Sequence, residues 1–227
     1  MALELPFYLT GGTALGRFYL NHRYSEDLDF FVDANPDYLN YLKKFKDRLS
    51  ESELFGIDTQ NTLITEDYAR FFIRNKSEPD DGLVLKLELV NDVAFHPGRP
   101  LSYQYGLIDI PVNILANKLT TIVGRDEPKD VFDIVELARN FAFEWDTIFS
   151  YAKSKTIINE IEVEERLFSF PVEWLENVNW ISTDHVFDLE GFTKNLRQIA
   201  NDFLLGKPNS LGRNRPPIET ALPIYSL

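Results

Sequence analysis

Residues 7–33 decide the fold, and they read FYLTGGTALGRFYLNHRYSEDLDFFVD. A short apolar run leads into Gly11 and Gly12, which predicts a strand that ends in a tight turn. Apolar side chains at helical spacing then predict a helix over residues 13–21. Apolar and acidic residues alternate through residues 27–33, which is the period of a strand with one buried face. The stretch therefore predicts a strand, a turn, a helix and a second strand in close succession.

Two acidic residues on the second strand, Asp27 and Asp29, are candidate metal ligands. A spacing of two points both carboxylates to the same face, where they repel each other unless a cation lies between them. Gly11 and Gly12 allow backbone N–H groups to approach an anion at the N-terminus of the helix. Together these features suit a metal-bound nucleoside triphosphate. Alternatively, the glycines form only a tight turn and the acids only the solvated face of a strand, but both within one short stretch favour the site.

A third candidate carboxylate, Glu88, lies on the most regular strand pattern, residues 83–90, and shares its face with Lys86. The other face of this strand consists of leucines: Leu83, Leu85, Leu87 and Leu89. If this strand lies beside residues 27–33, three carboxylates converge, which is enough to hold two magnesium ions together with phosphate oxygens. The alternatives are an ordinary ion pair between Glu88 and Lys86, and Asp92 as the third carboxylate.

The rest of the chain divides at about Pro111 into a sheet-rich part and a helical part. Before Pro111, further strands are predicted over residues 61–65, 70–74 and 107–110, and a helix over residues 38–49. After it, helices are predicted over residues 112–123, 128–140, 145–154, 157–168 and 191–205. The pattern predicts an α+β fold, in which a mixed sheet flanked by helices is followed by a helical C-terminal region and an extended tail from residue 206.

Composition excludes several classes of protein. The chain has 227 residues and a formal net charge of -13, but 44% of the residues are hydrophobic, too many for a disordered acidic chain. Cysteine is absent, which excludes disulfides, thiolate zinc sites and cysteine nucleophiles. No signal peptide or membrane-spanning run is recognisable, so we expect a cytoplasmic protein without a membrane partner. The negative charge also argues against coating of nucleic acid by bulk positive charge.

Two blocks of sequence resemble a known family. Residues 11–31, GGTALGRFYLNHRYSEDLDFF, resemble the signature of the AbiEii/AbiGii toxin family, within the DNA polymerase β-like nucleotidyltransferase superfamily. Residues 117–138, NKLTTIVGRDEPKDVFDIVELA, are similar to the helical motif that follows in that family, in which a Lys, an Arg and a basic residue before Asp-x-x-Asp recur. The order of the two blocks agrees with a sheet followed by helices.

The second block also has a physical interpretation. Lys118 and Arg125 are seven residues apart, close to two helical turns, so on a continuous helix they share a face that could hold phosphates of the nucleotide or of the acceptor. Asp130 and Asp133 could orient those cations or the acceptor. Alternatively, Lys129 and Asp133 form an ordinary surface pair at a spacing of four and Lys118 is simply solvated.

The resemblance implies a nucleotidyltransferase that depends on two magnesium ions. It implies a catalytic domain over residues 1–111, a helical domain over residues 112–205 that completes the cleft, and an extended tail over residues 206–227. By this resemblance, the metal ligands and catalytic residues are Asp27, Asp29 and Glu88. The nucleotide-binding residues are Gly11, Gly12, Thr13, Ser25, Lys118 and Arg125. Residues with supporting roles are Lys86, Lys129, Asp130 and Asp133.

The resemblance also implies partners. A nucleoside triphosphate is the expected substrate, RNA the expected acceptor, with the 3′ end of tRNA as one candidate, and a cognate antitoxin the expected protein partner. Two alternatives remain open. One is an enzyme that modifies a small molecule, as antibiotic nucleotidyltransferases do. The other is a nucleotide-binding or interaction protein that keeps the fold without transfer chemistry.

Overall fold

A computed structural model describes residues 5–77 and 84–224. The strands in these residues are β1 (Tyr8–Thr10), β2 (Asp27–Asp33), β3 (Phe55–Ile57), β4 (Leu63–Ile64), β5 (Tyr68–Asn75), β6 (Val84–Asp92), β7 (Leu101–Tyr103) and β8 (Gly106–Ile108). The α-helices are α1 (Gly11–Leu15), α2 (Tyr38–Ser50), α3 (Pro111–Gly124), α4 (Pro128–Asn140), α5 (Trp145–Lys155), α6 (Glu160–Ser169) and α7 (Leu189–Leu204). A π-helical turn, Gly16–Leu20, continues α1, and short 3-10 turns occupy Val172–Leu175 and Ile218–Thr220.

The strands form one mixed sheet in the order β3-β5-β6-β2-β1-β8-β7, with β4 paired to β5. In the centre, β2 runs antiparallel to β1 and parallel to β6, while β1 runs parallel to β8. This order places β2 between β1 and β6, although residues 34–83 separate β2 from β6 in sequence. The α+β fold predicted from the sequence is confirmed.

The two faces of the sheet differ in character because apolar and polar residues alternate along β2, β5 and β6. One face is apolar and is covered by α2, whose Tyr38 and Leu42 pack with Phe71, Leu87 and Leu89 in a single cluster. The hydroxyl of Tyr38 also donates to the carbonyl of Leu89, at 2.8 Å. The opposite face carries the charged residues of β2 and β6, so burial of the apolar face fixes which side of the sheet presents the carboxylates.

A second, larger core joins α1 to the helices of the C-terminal half. Pro111 and Pro128 occupy the first turns of α3 and α4, where a missing N–H has no cost. Fully buried residues of these two helices, among them Leu115, Leu119 and Phe132, pack in one cluster with residues of α1, α5, α6 and α7. The helical half is therefore packed directly on the helix that follows the Gly-Gly turn.

The segment after α7 packs along the helices. Asn209 is buried, and its amide donates to the carbonyl oxygens of Ala138 and Phe141 at 2.7 and 2.8 Å. Further along, Ile218 is fully buried in the larger core, and its N–H donates to Ala142 at 3.0 Å. The division into a catalytic domain, a helical domain and a tail stays a prediction, but residues 206–224 are part of the packed structure.

The order of elements in the sequence prediction agrees with the structure, with a few differences. The helix predicted from residue 13 begins at Gly11, and it ends at Asn21, which adopts a left-handed conformation with φ of 50°. Strands β3 and β7 were not predicted; each has only three residues, too few for a periodic pattern. Leu83, predicted to lie on a strand, is outside the described residues. Within the described residues, no helix has both the length and the apolar character that crossing a membrane requires.

Candidate active site

The three candidate carboxylates lie on one face of two neighbouring strands. In the parallel pair of β2 and β6, Asp27 is opposite Lys86 and Asp29 is opposite Glu88. Residues opposite each other in a ladder, and residues two apart in a strand, project to the same face. The adjacency on which the third carboxylate depended is therefore confirmed. Asp92, the alternative third carboxylate, lies at the far end of β6 and pairs with Lys155 at 3.1 Å.

Lys86 lies among these carboxylates. Its ammonium group is 2.7 Å from Asp27 Oδ2 and 3.6 Å from Glu88 Oε1. Although burial opposes it, the hydrogen bond to Asp27 and the charge of Glu88 raise the pKa of Lys86. Within the described ranges, no three acidic or histidine side chains are gathered closely enough to form a metal-binding group. The carboxylate face thus holds an ammonium ion of the chain at a position where a cation is favoured.

Asp29 carries the least compensated charge of the three. Burial and the neighbouring carboxylate of Glu88 raise the pKa of Asp29 from 3.8 to about 6, while Lys118 and Lys86 act in the opposite direction. A bound cation stabilises a carboxylate with a raised pKa more than it stabilises a carboxylate that already forms an ion pair. The electrostatics of the face therefore favour an added positive charge beside Asp29.

Glu88 is held by a second contact, from β5. The hydroxyl of Tyr68 donates a short hydrogen bond to Glu88 Oε1. Burial and the bond to Glu88 raise the pKa of Tyr68, so its hydroxyl remains a proton donor. One carboxylate oxygen of Glu88 is thereby fixed, which restricts the orientation of the whole group.

The Gly-Gly turn lies against both Asp29 and the loop before β2. Gly11 has φ of +66°, and a Cβ added there would lie 2.5 Å from Asp29 Oδ2. A Cβ on Gly12 would collide with the guanidinium of Arg23. The two glycines are therefore required for close packing as well as for the turn. The hydroxyl of Thr13 donates to the backbone carbonyl of Asp27, which fixes the start of β2 relative to α1.

A buried ionic cluster lies behind this turn, centred on Asp133 of α4. Asp133 accepts from Arg23 Nε at 2.6 Å and from Arg23 Nη2 at 2.7 Å. Its other contacts are His22 Nε2 and Lys118 Nζ, each at 2.8 Å. Although burial opposes it, the charges of Lys118 and Arg23 hold the pKa of Asp133 well below its ordinary value. Burial lowers the pKa of His22, so this ring is neutral.

Asp130 connects the same cluster to the surface. Lys118 Nζ lies 2.6 Å from Asp130 Oδ1, and Arg125 Nε donates to Asp130 Oδ2 at 2.7 Å. Lys118 is buried, whereas the side chain of Arg125 is 57% exposed. Asp130 thus contacts both Lys118 and Arg125, and Asp133 contacts Lys118; that these acids orient the cations for a substrate stays a prediction. The alternative of a solvated Lys118 and a surface pair between Lys129 and Asp133 is wrong, because Lys118 and Asp133 are buried together.

The cluster retains excess positive charge that acts on the carboxylate face. Three cations, Arg23, Lys118 and Arg125, surround two carboxylates, Asp130 and Asp133. Lys118 lowers the pKa of Asp29, and Asp29 in turn raises that of Arg125. Residues of the two sequence blocks therefore interact electrostatically in the folded chain.

Two further predicted residues lie outside this cluster. Ser25 is half-buried in the loop before β2 and lines a cavity of about 570 Å³ together with Arg17 and Tyr105. Lys129 lies in the first turn of α4, where its backbone N–H donates to the capping carboxylate of Glu127 at 3.3 Å. Their assignment to the nucleotide site stays a prediction.

The sequence alone missed residues that act through tertiary contacts. Arg23 was not a candidate, although it forms two hydrogen bonds with Asp133, and Tyr68 was not a candidate, although it holds Glu88. The position of Arg23, directly after His22 and within the first block, was a usable signal. No periodic or spacing signal points to Tyr68.

Two solved structures of other proteins are similar to this chain. The crystal structure of JHP933 from Helicobacter pylori matches with a TM-score of 0.54 and 22% identity, covering 88% of this chain and 84% of that one. MenT4, the nucleotidyltransferase toxin of Mycobacterium tuberculosis H37Rv, matches with a TM-score of 0.49 and 14% identity, covering 88% and 75%. The search of curated proteins finds no match.

A mixed sheet that carries an Asp pair beside a third acid, next to a Gly-Gly helix start, is the arrangement expected of a nucleotidyltransferase. The family model described as "Nucleotidyl transferase AbiEii toxin, Type IV TA system" matches residues 2–222, and the chain belongs to this family. It is therefore a nucleotidyltransferase toxin of a toxin–antitoxin system. Membership implies a nucleoside triphosphate substrate and an antitoxin partner, and nucleotidyltransferases of this kind generally use a divalent metal.

The buried cluster predicts a large loss of stability for Asp133→Asn. The substitution keeps the shape but removes the charge between Arg23 and Lys118, so we expect the free energy of unfolding to fall by about 3–5 kcal/mol in urea denaturation. Asp126→Asn is the matched control, because Asp126 forms an exposed pair with Arg166 at 2.6 Å and its loss should cost about 1 kcal/mol or less. Equal effects of the two variants would contradict a central role for Asp133.

The raised pKa of Asp29 predicts that Asp29→Asn stabilises the metal-free protein. The folded-state pKa of about 6 exceeds the ordinary 3.8, so ionised Asp29 lowers stability above pH 6 and has no such effect below about pH 4. We expect the variant to be more stable than the parent by about 1–3 kcal/mol at pH 8, with the difference vanishing near pH 4. Urea denaturation at both pH values measures this. Asp47→Asn, on the exposed side of α2, is the control, and an Asp29→Asn variant that is no more stable at pH 8 would refute the prediction.

Proposed function

We propose that the protein transfers a nucleoside monophosphate from a nucleoside triphosphate to a hydroxyl group of an RNA acceptor. The observation that carries this proposal is the register of β2 and β6, which sets Glu88 opposite Asp29 with Asp27 two residues away on the same face. The Gly-Gly turn lies directly against Asp29. The reacting phosphate, the metal ligands and the acceptor hydroxyl can then meet on one face of the sheet.

Asp27, Asp29 and Glu88 are the residues that would hold magnesium, although in this conformation their side chains are not gathered into a metal-binding group. Their carboxylate oxygens are the ligands that this ion prefers, and the raised pKa of Asp29 indicates negative charge that the chain itself does not balance. The contact of Lys86 with Asp27 and Glu88 supports a preference for a cation between those two groups. Bound magnesium would neutralise charge on the phosphates and facilitate loss of the hydroxyl proton. We propose two ions, as the sequence resemblance implies.

The nucleotide phosphates would bind at the start of α1. The first N–H groups of a helix lack partners within the helix, so those of Gly11, Gly12 and Thr13 are available to the β- and γ-phosphates. The hydroxyl proton of Thr13 is already donated to Asp27, so the phosphate contact of Thr13 falls to its backbone. Arg125 has an exposed side chain and would contact the phosphates directly. Lys118 is buried between two carboxylates and acts instead through its charge, which lowers the pKa of Asp29.

Glu88 would receive the acceptor hydroxyl. Tyr68 occupies one of its oxygens, which leaves the other to orient the hydroxyl toward the α-phosphate. The hydroxyl oxygen forms a bond to the α-phosphorus as the bond to the β-phosphate oxygen breaks, pyrophosphate leaves, and the hydroxyl proton passes to the free carboxylate oxygen of Glu88. In this division of roles, the carboxylate face holds the nucleophile and the start of α1 holds the leaving group.

A labelling experiment tests the proposal. Each α-labelled nucleoside triphosphate is incubated with the protein, magnesium and total RNA, and label on RNA is measured. We expect transfer with at least one nucleotide, and a loss on the order of 100-fold or more for Asp29→Asn. Asp33→Asn is the matched control, because Asp33 lies on the same strand and face and bonds Tyr8 at 2.6 Å.

The other outcomes distinguish the alternatives. Label on a small molecule of a cell extract, and none on RNA, would identify a small-molecule nucleotidyltransferase. Nucleotide binding without transfer to any acceptor would identify a non-catalytic binding protein. Equal losses for Asp29→Asn and Asp33→Asn would indicate a general effect on the sheet rather than a role of Asp29 in the reaction.

A further inference from the structure

Arg70 of β5 lies on the carboxylate face beside Glu88. In the antiparallel pair of β5 and β6, Arg70 is directly opposite Glu88, and Glu88 is opposite Asp29 in the next pair. Residues opposite each other project to the same face of a sheet. Arg70 therefore continues the row of Asp29 and Glu88 by one strand, away from the Gly-Gly turn on β1.

Arg70 has a buried donor without a partner. Its Nε is buried and has no hydrogen-bond partner among the described residues. Among the residues that the structure describes, no ion pair or side-chain hydrogen bond involves its guanidinium, although a carboxylate lies opposite. Glu88 is instead bound by Tyr68 and approached by Lys86. A buried donor without an acceptor costs about 1–3 kcal/mol, so a ligand that brings an acceptor to Arg70 would remove this cost.

Phe72 supports the guanidinium. The Arg70 Cζ lies 5.6 Å from the centre of the Phe72 ring, which is within the range of a cation–π contact. A guanidinium held against a ring loses less conformational freedom when a ligand binds than a free side chain does. Its planar set of donors matches the oxygens of a phosphate group.

The order of the strands separates Arg70 from the residues that would bind the nucleotide phosphates. Gly11 and Gly12, at the end of β1, lie on one side of Asp29, and Arg70 lies on the other side, beyond Glu88. In the proposed function, the nucleotide phosphates are at the turn and the acceptor hydroxyl is at Glu88. We propose that Arg70 binds a backbone phosphate of the acceptor RNA next to its reacting end. The inference rests on the proposed function for the nature of the acceptor.

The net negative charge of the chain makes a local cation such as Arg70 important for binding RNA. With a net charge of -13, the protein as a whole repels a polyanion, so binding of RNA depends on a few local cations. Arg70 is a cation on the catalytic face that no carboxylate of the described residues neutralises through an ion pair. Lys86, Lys118 and Arg125, in contrast, are all bound to carboxylates.

Equilibrium binding tests the inference without turnover. The Kd of a short fluorescent single-stranded RNA is measured by anisotropy over a range of KCl concentrations, with no nucleotide present. For Arg70→Met we expect Kd to rise about 10-fold or more and the slope of log Kd against log salt to fall by about 0.7. Arg70→Lys should keep the salt slope and recover only part of the affinity, because an ammonium lacks the planar fork. Both variants are compared with the parent by thermal unfolding.

The matched control is Arg48→Met. Arg48 lies on α2, on the opposite side of the sheet, is well exposed and pairs only loosely with Glu51 at 3.6 Å. It removes the same charge, so we expect its Kd to stay within about twofold. Equal weakening by Arg48→Met and Arg70→Met would show a diffuse charge effect and overturn the inference.

Nucleotide binding and transfer separate this inference from the proposed function. We expect Arg70→Met to leave the Kd for each nucleoside triphosphate unchanged. A weaker nucleotide Kd with an unchanged RNA Kd would place Arg70 in the nucleotide site and overturn the inference. If the parent transfers label to RNA and Arg70→Met has the same RNA affinity and KM, the inference alone fails. If the parent transfers no label, the proposed function fails, whatever the binding data show.

Discussion

One buried carboxylate, Asp133, constrains the rest of the structure. It lies where the loop containing His22 and Arg23 meets helix α3, through Lys118, and its own helix α4, although Arg23 and Asp133 are 110 positions apart in sequence. A buried charge is tolerated only when partners surround it, so these segments have one favourable arrangement. That arrangement presses the Gly-Gly turn against the loop and sets the excess positive charge of the cluster behind Asp29.

Charge is handled differently in the cluster and on the carboxylate face. In the cluster, the pKa of Asp133 is held low and that of Lys118 is held high, so every ionised group is stabilised by a neighbour. On the face, burial and Glu88 raise the pKa of Asp29 more than Lys118 and Lys86 lower it, so a further cation would stabilise the ionised form. The charges of the cluster are thus stabilised by one another, whereas the charge of the face is compensated only in part. The net charge of the chain says little about either, because both effects act over a few ångströms.

Much of this could be predicted from the sequence. The alternation in residues 27–33 gave the second strand and the shared face of Asp27 and Asp29, since a period of two is a local property of the chain. Pro128 marked the start of α4 for an equally local reason. The sequence does not predict that β2 pairs with β6, because strand order depends on contacts between residues more than fifty positions apart.

The residues that escaped prediction act across elements. Arg23 matters because Asp133 lies beside it in the fold, and Tyr68 and Arg70 matter because β5 pairs with β6. None of these relations leaves a spacing in the sequence. For Lys86, the sequence spacing predicts an ion pair with Glu88 on the same strand. Its nearer partner in the structure is Asp27, which the register of β2 and β6 places opposite it.

A structure of the protein with Mn²⁺ and a non-hydrolysable nucleoside triphosphate analogue, read by anomalous diffraction, is the most direct test of the carboxylate face as the active site. The expected result is metal coordinated by oxygens of Asp27 and Asp29 at about 2.0–2.4 Å, with the phosphates against the Gly11 and Gly12 backbone. Metal and triphosphate bound elsewhere, with Lys86 still on Asp27 and Glu88, would contradict it.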